Sequence, residues 1–361
     1  MKNALLFLLV CLLPLEVFGR QEASSGQTAL VFTHVTVIDA TGAPAKSDMT
    51  VVVRGDRIEA LGKTSKLTVP RNAQVVDATG KFLIPGLWDM HVHPRWGKSY
   101  LALFIANGVT SVRVMGGSPR HHEWREEISA GQLIGPRMVI ASPIVDGPNA
   151  RNYITVSSED EGRQVVRKVK KEGADFVKVY DNLPRDAYFA IADEAKKQGI
   201  PFAGHVPYSV SAVEASDAGQ ESIEHCRILL PACSSKEEEL RKKFMEASRA
   251  SIKLLADTYS EQKAAALFAR FVKNSTWVCP TLTVWSAVLF RDEEDFSEDP
   301  RLKYIPLSTG DRWKNQVRIA LATGEARANL KKVFEKNLAI VGAMGRAGVG
   351  ILDGTDTPVP C

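Results

Sequence analysis

The stretch FVKVYDNLPRDAYFAIADEAKKQGIPFAGHV, residues 176–206, reads as strand, helix and strand in succession. Successive side chains of an extended chain point to opposite faces, so Val177 and Val179 share one face and Lys178 takes the other. Pro184 suits the opening of a helix, where no amide partner is needed, and Gly199 suits its end, where a left-handed turn is common. Phe202 then starts a second short apolar run. Strand, crossover helix and strand form the unit from which parallel sheets are built.

Working outward, the same alternation recurs from Phe82 onward. Eight strand candidates stand out: Leu87–His91, Val109–Val114, Arg137–Ala141, Phe176–Tyr180, Phe202–Val206, Ser222–Cys226, Trp277–Thr283 and Val349–Asp353. Between the third and fourth, Ser158 and Glu161 form a capping-box pattern, Val165, Val166 and Val169 make an apolar stripe, and Gly173 can end the helix. Eight such units predict an α/β fold, a (β/α)8 TIM-type barrel over residues 82–361. Residues 28–81 read as a small, sandwich-like β-domain of antiparallel strands, with turns at Asp39 to Gly42 and Arg54 to Asp56. Two stretches exceed a minimal barrel, Ser234 to Asn274 and Arg291 to Lys314, and both are candidate lids.

The N-terminus carries Lys2, an apolar run from Ala4 to Leu13, and small residues at Val17 and Gly19, the pattern of a signal peptide over residues 1–19. The run is shorter than the roughly 20 residues needed to cross a bilayer. The mature protein is therefore expected outside the cytoplasm, periplasmic or secreted, with no membrane segment. Composition is ordinary for a globular chain, 45% hydrophobic and 24% charged, with a net charge of +4. Its basic residues are scattered rather than striped, which argues against a nucleic-acid partner. None of the five cysteines forms a C-x-x-C pair, which argues against a thiolate zinc site. Cys226 and Cys233 are near enough in sequence for a disulfide, although free buried thiols are the expectation.

Functional side chains of such barrels lie at the C-terminal ends of the strands. Four of the seven histidines fall there: His91 and His93 after the first strand, His205 after the fifth and His225 after the sixth. His91 and His93 are two apart, so both imidazoles can face one ion. The eighth strand runs into Gly354, Thr355 and Asp356, with Asp353 a rival acid. Lys178 faces the barrel interior, where an unpaired ammonium is costly. It can either become an anionic bridging ligand by carbamylation or pair with Asp356 or another acid. Tyr180, Tyr208 and Tyr153 lie at or beyond strand ends and are candidate substrate contacts. Arg95 and Arg151 could pair with a substrate carboxylate. His121 and His122 could touch substrate, but an adjacent pair opening a polar helix is expected in solvent, as is His34. Met115, Gly116 and Gly117 could bring backbone close to a ligand or form a plain turn.

IPGLWDMHVH at residues 84–93, preceded by Val37 to Asp39 and Arg57-Ile58, resembles the amidohydrolase superfamily. GADFVK at 173–178, Gly204-His205, Glu224-His225 and Gly354 to Asp356 follow in the order of that superfamily. The likeness covers nearly all the mature chain, and the branch it suggests is the imidazolonepropionase-like group with its prolidase-like dipeptidases. The resemblance implies two divalent metals, zinc first among the choices. His91 and His93 would bind the first, His205 and His225 the second, and carbamylated Lys178 would bridge them. Asp356 would bind the first metal and carry the proton of a bridging water. Two such cations generate hydroxide near neutral pH. It also implies a last helix and further strands after the Asp356 motif, so these C-terminal elements are expected to be missing here. The expected function is hydrolysis of an amide or peptide bond in a small or dipeptide-like substrate, by a chain that could form a homo-oligomer. A lactonase, phosphotriesterase or deaminase chemistry is the alternative, as is an inactive remnant acting as a binding protein.

Overall fold

The computed structural model describes residues 27–95, 97–148, 150, 153–245, 257–290, 300–305, 309 and 324–358. Residues 1–19, expected to be a signal peptide, together with Arg151, Cys361 and most of Arg291 to Lys314 lie outside the described residues. Contacts divide the chain between Pro85 and Gly86 into two compact units.

In the first unit, β1 (Leu30–Val37), β2 (Lys46–Arg54), β3 (Arg57–Lys63), β4 (Gln74–Asp77) and β5 (Phe82–Leu83) make one sheet. β2 pairs antiparallel with β1 and with β3, whereas β4 and β5 run parallel to β1. The unit is thus mixed rather than antiparallel, because the chain after β3 crosses over to the free edge of β1. Alternation buries both faces: Val35, Val37, Met49 and Val51 in one cluster, Ala29, Val31 and Val52 in another. His34 sits at an irregularity of β1 with φ 57° and bonds Asp48 at 2.8 Å on the exposed surface.

The second unit holds the parallel strands. β6 (Leu87–Val92), β7 (Val109–Val114) and β8 (Arg137–Ile140) form one sheet. β9 (Val145–Asp146), β10 (Ile154–Thr155), β11 (Val177–Val179), β12 (Phe202–Gly204), β13 (Ser222–Glu224) and β14 (Trp277–Cys279) form a second, in the order β10-β9-β11-β12-β13-β14. Regular pairing breaks between the two sheets, and single parallel bridges carry it on: Ala141 to Phe176 at one seam, Val278 to Ile351 and Val92 to Thr357 at the other. This is the parallel α/β arrangement of a TIM-type barrel.

The expected eighth strand, Val349–Asp353, is reduced to that single bridge, with Leu352 N–H donating to Val278 O at 2.8 Å and Met90 N–H to Asp353 O at 2.7 Å. The seventh ends at Cys279, short of Thr283. Pro280 has no amide to extend the ladder, and Leu282–Phe290 is a helix. Helix Glu261–Asn274, within one candidate lid, buries Ala264, Leu267, Phe268 and Phe271 in the main core, so it is a packing helix and not a lid.

The helices bear out their punctuation. Ser158 accepts from Glu161 N–H, and helix Glu159–Lys171 follows, while Gly199 closes helix Arg185–Gln198 at φ 61°. The Glu161 carboxylate bonds Ser157 rather than Ser158, a box displaced by one residue. Val177 and Val179 pack with Val165, Val166, Val169 and Ile191 of these two helices. Each such buried valine is worth about 2 kcal/mol. Phe176 and Ala203 join Met115 and Ala141 in a separate cluster. Strand alternation therefore leaves Lys178 on the face away from the helices.

Candidate metal centre

Lys178 is fully buried, and its Nζ has no hydrogen-bond partner. Burial pushes its pKa down to about 8, against the pull of Glu224. Gly204 makes room for it: a Cβ there would lie 3.0 Å from Lys178 Cδ and 2.2 Å from Val179 O, and its φ of 139° is one that other residues rarely adopt.

The four strand-end imidazoles form a chain. Ring centroids of His93 and His91 are 5.2 Å apart, those of His91 and His225 4.7 Å, and those of His225 and His205 4.7 Å. Asp356 Oδ1 lies 3.3 Å from His93 Nε2 and 3.5 Å from His91 Nε2. Asp353, the rival acid, is exposed. Burial would raise the Asp356 carboxyl, but the hydrogen bond from His93 and the fields of His91 and His225 hold it at about 2. Burial pushes His205 down to about 4 and His225 to about 3, so both rings are neutral near pH 7 and their lone pairs are free for a cation.

Three of the four rings are held from behind. His91 Nδ1–H donates to Glu224 Oε2 at 2.6 Å, which leaves Nε2 as the lone-pair nitrogen. That Nε2 is buried and makes no hydrogen bond. Glu224 is in turn bound by Arg113 at 2.6 Å and by Ser222 Oγ at 2.6 Å. His205 Nδ1–H donates to Asp181 at 2.8 Å, and Arg227 pairs with Asp181 at 3.0 Å. His225 bonds Thr281 Oγ1 at 2.6 Å. His225 and Asp356 adopt φ of 66° and 59°, a strained backbone for residues with a Cβ and typical of functional sites.

Among the described residues, two donor groups lie close enough together to hold an ion: His91, His225 and Asp356, and His91, Glu224 and Cys279. The first is the better fit, because the oxygens of Glu224 are already engaged by Arg113, Ser222 and His91. The unpartnered Nε2 of His91, beside neutral imidazoles and an ionised carboxylate, is what a divalent cation would satisfy, whereas Lys178 Nζ could join it only as an anionic carbamate. The nitrogen and oxygen donors suit zinc, with other transition metals of similar preference behind it.

A cavity of about 190 Å³ opens beside the cluster, lined among others by His205, His225, Tyr208, Arg227 and Asp356. Tyr180 stacks on His205 with centroids 4.1 Å apart, and Tyr153 meets Tyr180 edge-on at 5.3 Å. Of the three tyrosines, Tyr208 is the one on the cavity wall. Arg95 is exposed and does not line the cavity. His121 is buried against Trp124 and bonds Pro94 O at 3.3 Å, so the expectation of a solvent-exposed pair fails for it. His122 is half-buried beside Arg125 at 3.1 Å. Gly116 does approach the site, since a Cβ there would lie 3.6 Å from His93 Nδ1. Cys226, Cys233 and Cys279 are free and buried.

Sequence reasoning missed Glu224, Asp181, Arg113, Arg227 and Thr281. The available signal was their place within three residues of a strand end, shared by many polar residues.

Residues 82–234 match the model of the amidohydrolase family. A stretch of 114 residues is 30% identical to adenine deaminase of Rubrobacter xylanophilus, covering 30% of this chain and 19% of that protein. Among solved structures, a bottromycin amidohydrolase aligns at a TM-score of 0.67 and 24% identity, over 91% of this chain and 69% of the other. A Xaa-Pro dipeptidase with methionine bound in its active site aligns at 0.60 and 19%, over 92% and 80%. At these identities the structural likeness is one of fold.

Proposed function

Starting from a chain that carries an amidohydrolase family domain, we propose that this protein is a divalent-metal hydrolase of carbon–nitrogen bonds, acting on small amides or dipeptide-like substrates. The observation that carries this reading is the pair of buried nitrogens without hydrogen-bond partners, His91 Nε2 and Lys178 Nζ, beside imidazoles and an ionised aspartate. His91, His93 and Asp356 would hold one cation, His205 and His225 a second, with the His225 donor within 4.8 Å of those of His91 and Asp356, and carbamylated Lys178 would join them. Zinc is the preferred ion. Divalent cations bound there would lower the pKa of water and polarise a carbonyl oxygen.

The chain's own groups supply the proton path and the orientation. Asp356 accepts a proton from the attacking water as its oxygen bonds to the carbonyl carbon, then returns it to the leaving nitrogen as the C–N bond breaks. Glu224 and Asp181 keep a proton on Nδ1 of His91 and His205 and hold both rings in place. Tyr208 borders the substrate, while Tyr180 stacks on His205 and Tyr153 packs against Tyr180. The charged start and apolar run at the N-terminus support an activity outside the cytoplasm, with residues 1–19 a signal peptide that precedes the small β-domain and the barrel of residues 82–361. A homo-oligomer is compatible with this function.

The test is hydrolysis of a dipeptide and acyl-amide panel by zinc-reconstituted protein. Turnover that a chelator abolishes and zinc restores is expected; absence of any amide cleavage would reject the reading. A deaminase has one specific support, the 30% identity to adenine deaminase. Ammonia release from adenine without amide cleavage would select it.

A further inference from the structure

Among the residues lining the cavity, one carries a cationic side chain, Arg227. Its guanidinium lies 3.0 Å from Asp181 Oδ2 and 4.7 Å over the ring of Tyr208, and 44% of the side chain is exposed. Arg113 offers the contrast. It is buried and spends its donors on Met90 O, Ser222 Oγ and Glu224. Arg227 has one carboxylate partner, and a guanidinium has five N–H donors, so most of its fork remains available. Asp181 and the Tyr208 ring fix the plane of that fork, which lowers the entropy lost when it binds a ligand. The neighbouring wall is apolar, built from Val206, Ile228 and Val284.

We propose that Arg227 forms a carboxylate subsite, which selects acylamino acids or dipeptides with a free terminal carboxylate and an apolar terminal side chain. A planar fork matches two carboxylate oxygens with parallel hydrogen bonds, while the valines and Ile228 take the side chain. Arg227 lies two residues beyond His225, so the same strand end that would face the reacting carbonyl also carries the anchor for the leaving part. The subsite deepens the hydrolase reading and rests on it for turnover, though not for binding.

The experiment is calorimetric titration of the full-length protein, with and without zinc, by N-acetyl-L-leucine and by N-acetyl-L-leucinamide. The wild type is expected to bind the acid about tenfold more tightly than the amide. Arg227→Gln should abolish that preference, and Arg227→Lys should keep part of it. Thermal melts establish that the variants are folded, and if Arg227→Gln is not, the wild type and Arg227→Lys decide. Equal binding of acid and amide by the wild type would overturn the proposal. So would a preference that survives in Arg227→Gln, since the carboxylate would then sit elsewhere. Acid-selective binding without amide cleavage would count against the hydrolase reading and for the subsite.

Discussion

Two sides of the donor cluster use the same device, a histidine held by a carboxylate that is held by an arginine. In His91–Glu224–Arg113 the side chains are 0%, 0% and 7% exposed, whereas in His205–Asp181–Arg227 they are 12%, 12% and 44% exposed. Burial decides what each can do. The inner set is enclosed, and its charges are stable only while all three partners are present. The outer set is wet on one side, so its arginine can exchange water for another anion. The inner set fixes geometry and the outer set borders the cavity.

The largest expected contrast comes from removing each arginine. Arg113→Ala leaves Glu224 charged and enclosed, and should lower unfolding stability by about 3–5 kcal/mol. Arg227→Ala should cost at most about 1 kcal/mol, because its guanidinium is nearly half exposed and Asp181 keeps His205 as a partner. Urea unfolding of both variants measures this, and equal losses would break the comparison. Next come the carboxylates. Glu224→Gln and Asp181→Asn should each weaken zinc binding about 10–100-fold in competition with a chelating dye, and only Glu224→Gln should also destabilise the fold appreciably. Unaltered zinc affinity in both would show that the rings need no support.

A smaller effect is set by pH. His205 and His225 are pushed by burial to about 4 and about 3, below their ordinary value of 6.5. Between those limits the unfolded chain binds protons that the folded chain refuses, so stability falls as pH falls through that window. The Tm of metal-free protein should decline from pH 7 to pH 5; a flat or rising Tm would mean that these rings are solvated. The smallest effect belongs to the exposed pair of His34 and Asp48, where His34→Ala should alter stability by no more than about 0.5 kcal/mol.

The sequence makes the barrel strands legible wherever alternation is strict. Val177, Lys178 and Val179 fall on the faces that their order predicts, and β7 has the expected limits. It fails where backbone departs from the extended form. Glu224 and His225 are neighbours, and alternation alone would send one inward and the other outward. The φ of 66° at His225 turns its ring into the cluster beside Glu224, and no residue type announces that. Asp356 enters the cluster in the same way, beyond a strand that survives as one bridge. Likewise, Asp181 and Arg227 follow strand ends as ordinary polar residues, and their joint role depends on two strands meeting across the mouth of the barrel. The crossover that makes β4 parallel to β1 is also invisible to local pattern, because strand direction is fixed by pairing rather than by residue order.

The central claim is that one buried lysine joins two cation sites, and metal analysis tests it most directly. Protein reconstituted with zinc and bicarbonate and then dialysed should retain close to two zinc ions per chain, and Lys178→Ala at most one. Retention of no zinc by the wild type, or of two by Lys178→Ala, would contradict the account.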